Sequence, residues 1–169
     1  GLLDRVFPEF DRIHCRVIRD FYHRYTVDEH TLLTLRNLEA LANPEQTSRG
    51  RFAGLLQEIH APDLLALALL YHDVGKWKDA DHAIESVRLA QAMFERLELP
   101  PEARRTIEFL IRHHLEMSRL ALRRDSEDPA DVRQLAAIVG NEEHLKMLCV
   151  MTLVDIDAVG PGTLTPWKE

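Results

Sequence analysis

Residues 64–71 read LLALALLY, eight apolar residues in succession. Wound as a helix, they are apolar on every side, so the element has no face to give to water and must be enclosed by the rest of the chain. His72 and Asp73 follow at once, and then Val74, Gly75 and Lys76. A central helix that closes on an imidazole and a carboxylate must satisfy both groups inside the protein or put them to use.

What encloses that helix is also helical. No alternation of apolar and polar residues runs beyond four positions, and no hairpin dipeptide occurs, so strands are not expected. The prolines at 8, 44, 62, 100, 101, 129, 161 and 166 fall at helix starts or between periodic segments. The pattern predicts helices over 9–24, 27–42, 63–75, 81–98, 102–117, 129–139 and 142–159, with a shorter one near 52–59. Residues 43–50 read as an exposed loop and 118–128 as an irregular polar connection. Thr26 and Glu29 have the spacing of a capping box. Asp128 precedes Pro129 as an N-cap, and Asn141 can cap the last helix. Gly75, Gly140 and Gly160 each follow a helical stretch, where a positive φ is cheap for glycine. The expected fold is all-α, one compact helical bundle around a central buried helix that carries the His-Asp pair.

At 169 residues the chain can bury one sizeable core. Its formal charge of −7 argues against a nucleic-acid groove spread over the surface. No apolar stretch approaches a membrane span, so no membrane is expected. The opening GLLDRVFPEF lacks the basic and apolar regions of a secretory signal. Cys15 and Cys149 have no metal-type spacing and read as core thiols in a reducing, cytoplasmic setting.

Nine histidines are the unusual feature. Helical spacing puts His30 on or beside the stripe of Leu33, Leu38 and Leu41, and puts His114 on the face of Ile107, Leu110 and Ile111. Asp155 shares the packed side of its helix with Leu148 and Thr152. Several helices thus aim a His or an acid at the interior. Two accounts are open: Asp–His hydrogen bonds that satisfy one another, or a shared divalent cation, for which neutral imidazole and carboxylate are natural ligands. His14, His23, His60 and His144 fall outside the pattern as surface or packing residues. Asp157 lies on a different face from Asp155 and reads as structural. Arg112, Arg119, Arg123 and Arg124 either meet a phosphate or an acidic partner or, the preferred reading, form a solvated face.

The stretch LLYHDVGK, with His30 before it and Asp155 after it, resembles the signature of the HD-domain metal-dependent phosphohydrolases, an all-helical superfamily. YHRYTVDEHTL (22–32), DHAIES (81–86), RHHLEMS (112–118) and LVDIDAVGP (153–161) resemble, more narrowly, the HD region of the bifunctional uridylyltransferase/uridylyl-removing enzymes of nitrogen signalling. The chain departs from that pattern at WKDA (77–80) and at His113, where the family usually has glycines and an asparagine.

The resemblance implies that His30, His72, Asp73 and Asp155 hold a metal ion. Mixed nitrogen and oxygen donors suit Mn, Fe, Co, Ni or Zn better than Mg or Ca. His82 and His114, with His113 as an extra, either complete a second metal site bridged by Asp73 or contact phosphate and protonate the leaving group. Lys76 either neutralises a phosphodiester or is a cation favourably placed at a helix C-terminus. The implied reaction is hydrolysis of UMP from a tyrosine of the PII signal protein. The other readings are an HD hydrolase acting on a free nucleotide or cyclic dinucleotide, and a catalytically silent regulatory module. The resemblance further implies that residues 1–169 are one HD domain excised from a longer protein, with a nucleotidyltransferase domain before it and ligand-sensing domains after it.

Overall fold

In the computed structural model, residues 2–18, 24–43, 49–78, 81–121 and 128–160 are described. Among them the α-helices are α1 (Leu2–Val6), α2 (Val27–Ala42), α3 (Gly50–Glu58), α4 (Pro62–Tyr71), α5 (His82–Arg96), α6 (Pro101–His113), α7 (Glu116–Ala121), α8 (Pro129–Val139) and α9 (Glu142–Val159). Two 3-10 turns, Pro8–Ile13 and Val74–Trp77, complete the order, and no strand occurs among the described residues.

The apolar run is the centre of the bundle. Helix α4 packs against α2, α5, α6 and α9, and Leu65, Ala68, Leu69 and Tyr71 are wholly buried. Each large side chain so enclosed contributes about 1.5–3 kcal/mol. The Tyr71 hydroxyl donates to Glu9 Oε2 at 2.7 Å, and Arg96 grips both oxygens of Glu9 at 2.9 and 2.6 Å. This trio, in which Tyr71 and Glu9 are buried and Arg96 is exposed, ties the N-terminal turn to α4 and α5.

Helices α2, α8 and α9 have the expected bounds, and the caps of the last two form as expected. Asp128 accepts the Ala130 amide at 2.8 Å, and Asn141 accepts the His144 amide at 2.8 Å. Asp157 is structural, held by both Arg49 guanidinium nitrogens at 2.9 and 3.0 Å, which joins α3 to α9.

Other expectations need correction. The segment 9–24 is not one helix: after Ile13 the chain bends at His14, and Cys15 takes a φ of 53°. The bend presents the Arg16 carbonyl to the Val27 amide at 2.9 Å, so backbone supplies that cap of α2. Thr26 forms no capping box; its hydroxyl goes to Asp28 instead. Only half-buried, Leu33 is less enclosed than Thr31 and Thr34, whose hydroxyls return to carbonyls of their own helix at 2.9 and 2.8 Å.

The stretches 63–75 and 102–117 each break where a histidine side chain intervenes. Neither Gly75 nor Gly160 takes the left-handed conformation, which among these glycines belongs to Gly140 alone, at φ 74°. Cys15 is exposed and Cys149 half-buried, both as free thiols, so neither is a core thiol. No single helix among the described residues is long and apolar enough to cross a membrane. His23, Arg123 and Arg124 lie outside the described residues.

Candidate metal centre

Five helices converge on one point beside the end of α4. His30 comes from α2, His82 from the first residue of α5, and Asp155 from α9. His72 and His114 are the C-cap residues of α4 and α6, and Asp73 opens the turn after His72.

The two C-cap histidines are held alike. His72 Nδ1 lies 2.7 Å from the Leu69 carbonyl, and His114 Nδ1 lies 2.7 Å from the Ile111 carbonyl. A carbonyl only accepts, so each Nδ1 carries a hydrogen and donates it. Each ring thereby satisfies a carbonyl at its helix's C-terminus, where intrahelical donors run out. That contact ends the helix and leaves Nε2 aimed at the centre. His30 is anchored in the same sense, with Nδ1 3.2 Å from the Ala158 carbonyl. Backbone acceptors behind imidazole ligands are a recurrent way of fixing ring orientation at metal sites.

In front of these anchors the donor atoms cluster. His30 Nε2 lies 2.8 Å from Asp155 Oδ1 and 3.7 Å from Asp73 Oδ2. His72 Nε2 is 3.4 Å from Asp73 Oδ2 and 3.5 Å from Asp155 Oδ1. Donors around one ion with bonds near 2.1 Å sit roughly 3–3.5 Å from one another, so His30, His72 and Asp73 fit a shared cation, with Asp155 against both histidines.

The second oxygen of Asp73 faces the other way. Its Oδ1 lies 3.6 Å from His82 Nε2 and 3.9 Å from His114 Nε2, and those two nitrogens are 3.3 Å apart. Asp73 thus stands between two donor groups, His30 and His72 on one side and His82 and His114 on the other.

Two atoms at this centre, His72 Nε2 and Asp73 Oδ1, are buried without a hydrogen-bond partner. Buried polar atoms are rarely left so, and a pair of them at one point is a demand for something to bind. An imidazole nitrogen and a carboxylate oxygen are both ligands of divalent transition metals, so the residues present fit such an ion.

The local field sorts the groups. Burial works against the Asp73 carboxylate, but His72, Lys76 and His114 beside it hold its pKa well below the usual range. Asp155 is likewise low, against its burial, because His30 and His72 flank it. Burial also opposes a charge on His72, yet Asp73 and Asp155 together push its pKa up to about 10. Burial, aided by His72, pushes His114 down to about 4, and burial lowers His82 as well. At neutral pH the His82–His114 pair is therefore uncharged and offers lone pairs rather than protons.

The structure places Lys76 against the centre, with Nζ 2.7 Å from Asp73 Oδ2. His113 joins neither donor group; half-buried, it packs its ring 5.1 Å from that of Phe109. His144 stacks on the same Phe109 at 4.3 Å, and the exposed His60 pairs with Glu143 at 2.9 Å. Arg112 and Arg119 are exposed, Arg119 paired with Glu116 at 3.0 Å.

Two positioning residues are not evident from the sequence. The Ser86 hydroxyl donates to the His72 carbonyl at 2.7 Å, and Ser86 Oγ accepts the Gly75 amide at 2.8 Å, so α5 is stitched to the turn carrying Asp73. Arg16 Nε donates to the Lys76 carbonyl at 3.0 Å. The small residue at 86, one turn after His82 and within DHAIES, is the available signal for the first; nothing local announces the second.

Comparison with known proteins gives a family and a set of relatives. The HD domain family profile matches residues 27–154. The chain is 39% identical over 169 residues to the "Bifunctional uridylyltransferase/uridylyl-removing enzyme" of Methylococcus capsulatus, covering 99% of the chain and 19% of that protein. The like-named enzymes of Azospirillum brasilense and Ectopseudomonas mendocina are 38% and 37% identical over the same length, with 18% and 19% of each covered. The chain spans about a fifth of the length of these curated relatives.

Proposed function

The chain belongs to the HD domain family, and on that premise we propose that it is a metal-dependent phosphodiesterase that removes UMP from a tyrosine of a PII-like protein. The observation that carries the reading is the position of Asp73. It is 1% exposed, one oxygen faces His30 and His72, and the other lies unpartnered before His82 and His114.

His30, His72, Asp73 and Asp155 hold one divalent transition ion, of Mn, Fe, Co, Ni or Zn. His82 and His114 with Asp73 Oδ1 hold a second. Such ions, when bound, polarise a phosphoryl oxygen and lower the pKa of bound water. The protein's own groups do the rest. Asp73 and Asp155 stay ionised and supply the negative charge that the cations require. The Nδ1 anchors keep three imidazoles from rotating.

Lys76 sits beside Asp73 with an ammonium that meets the charge of an incoming phosphodiester. His82 and His114, uncharged at neutral pH, are poor proton donors to the leaving group. A tyrosine phenolate, with a parent pKa of about 10, needs little such help. An aryl phosphodiester is compatible with that arrangement. The relatives' length makes the HD region one part of a larger enzyme, and we read residues 1–169 in the same way.

The test is direct. The purified chain is assayed for bound metal and for UMP release from a uridylylated PII-like protein, with free nucleotides and cyclic dinucleotides in parallel. Metal-dependent release from the protein tyrosine supports the reading. Turnover of nucleotides alone reassigns the substrate. Absence of both metal uptake and turnover makes the chain a silent regulatory module.

A further inference from the structure

Away from the centre just described, His14, Cys15 and Asp28 place an imidazole nitrogen, a thiol sulfur and a carboxylate oxygen within 4.8 Å of one another. The first two lie in the bend after Ile13, and the third lies in the first turn of α2. Cys15 has a φ of 53°, a region that residues with a β-carbon enter at a cost. Strain of that kind persists where surrounding contacts enforce it and gathers at sites that bind something. Here the bend turns the Cys15 amide onto the Asp28 carboxylate, and His14 Nδ1 lies 3.2 Å from Asp28 Oδ2. The other oxygen, Asp28 Oδ1, is buried with no hydrogen-bond partner. His14 and Cys15 are exposed, so an ion reaches the group from solvent.

We propose that His14, Cys15 and Asp28 form a separate, sulfur-containing site for a divalent cation of the zinc class. The donor chemistry sets it apart from the centre at Asp73, whose ligands are all nitrogen and oxygen. A thiolate shifts preference towards Zn, Cd and Co and away from Mg and Ca. Three protein donors leave a position for water, the arrangement of an exchangeable ion rather than a closed structural one. On binding, the thiol proton goes to solvent and a metal–sulfur bond forms, with no change of oxidation state. Arg16, the next residue, reaches from this bend to the Lys76 carbonyl, so the site adjoins the strap that holds the Lys76 turn. The assignment stands apart from the phosphodiester reading and does not depend on it.

Cobalt(II) distinguishes the two places, because a thiolate ligand adds a near-ultraviolet charge-transfer band that nitrogen and oxygen donors do not produce. The chain has two cysteines, Cys15 and Cys149. Titration of the metal-free chain with Co²⁺ is expected to raise that band. It should vanish in Cys15→Ser and persist in both Cys149→Ser and Asp73→Ala. His14→Ala should weaken the band's apparent affinity about tenfold or more, as loss of a ligand-sphere group does. Circular dichroism checks that each variant is folded, and Cys15 is exposed enough that its serine replacement leaves the core untouched. A band that is absent from the wild-type chain at saturating Co²⁺ overturns the site. So does one that survives Cys15→Ser, or an unchanged affinity in His14→Ala.

Discussion

The Gly75 amide donates to Ser86 Oγ at 2.8 Å, across a gap too narrow for a side chain on Gly75. A β-carbon there would fall 2.1 Å from the His82 carbonyl and 2.7 Å from the Ser86 amide. Backbone cannot yield as a flexible side chain can, so α5 would have to back away. It would take His82 from Asp73. Gly75→Ala is therefore expected to lower stability by about 1–3 kcal/mol, the usual range for overpacking, and to lose activity beyond what that loss explains. Thermal melts beside kcat measured well below the melting temperature check both parts. Wild-type kcat in a destabilised Gly75→Ala would show that α5 does not set the geometry of the centre.

Removing Asp73 takes away the residue that, among the described ones, belongs to both donor clusters. Asp73→Ala is expected to abolish turnover and to reduce the metal content of the purified chain. It also removes the carboxylate that pairs with Lys76 Nζ at 2.7 Å. Full activity in Asp73→Ala would remove the proposed site altogether. Elemental analysis and a turnover assay are sufficient.

Two buried atoms without partners, His72 Nε2 and Asp73 Oδ1, predict that a bound ion stabilises the fold. A ligand present at 100 times its dissociation constant contributes about 2.7 kcal/mol to the native state. Chelation should therefore lower the melting temperature by several degrees, and Mn²⁺ or Zn²⁺ should restore it. The same titration in Asp73→Ala should give a smaller shift. An equal shift in both would place the stabilising ion elsewhere.

Glu85 gives the pH dependence. It is buried, and its carboxylate accepts from Arg88 at 2.9 and 2.7 Å and from Trp77 at 3.0 Å, with Lys78 2.8 Å away. Arg88 first, then Lys78 and Trp77, hold its pKa well below the usual 4.5 against the opposing effect of burial. A depressed carboxylate contributes stability that is fully present above its unfolded value of 4.5 and is lost as pH falls through the folded value. Melting temperature should fall as the solution is taken below that pH, and Glu85→Gln should flatten the fall. A parallel acid profile in the variant would assign the loss to other carboxylates, such as Glu9.

Much of this architecture is legible in the sequence because it rests on local rules. Asp128 and Asn141 cap their helices through their own side chains, and α2, α8 and α9 keep bounds set by periodicity. The central burial of α4 follows from a run with no polar face. Where the structure departs from the pattern, the deciding contact is distant in sequence or lies beyond simple propensity. Cys15 is bent by what Asp28 and Val27 require. Gly75 is glycine because α5 passes against it, not because its φ is positive.

The donor set at Asp73 is visible in the sequence because buried acids and imidazoles on several helices at once are costly unless they share a partner. Its division into two groups depends on which way each carboxylate oxygen turns, and residue spacing does not encode that. Ser86 and Arg16 stay hidden for a related reason: both act on carbonyls, which every residue has.

The Nδ1 contacts of His72 and His114 carry a consequence for repair. A missing imidazole ligand can sometimes be replaced by imidazole from solution, which restores a nitrogen to the ion. In this protein each of those rings also stops a helix, by taking the carbonyl three residues before it. Free imidazole can fill the vacancy at the centre, but it cannot end α4 or α6. Chemical rescue of His72→Gly or His114→Gly should therefore recover metal without recovering the turn that presents Asp73 or the approach of α7.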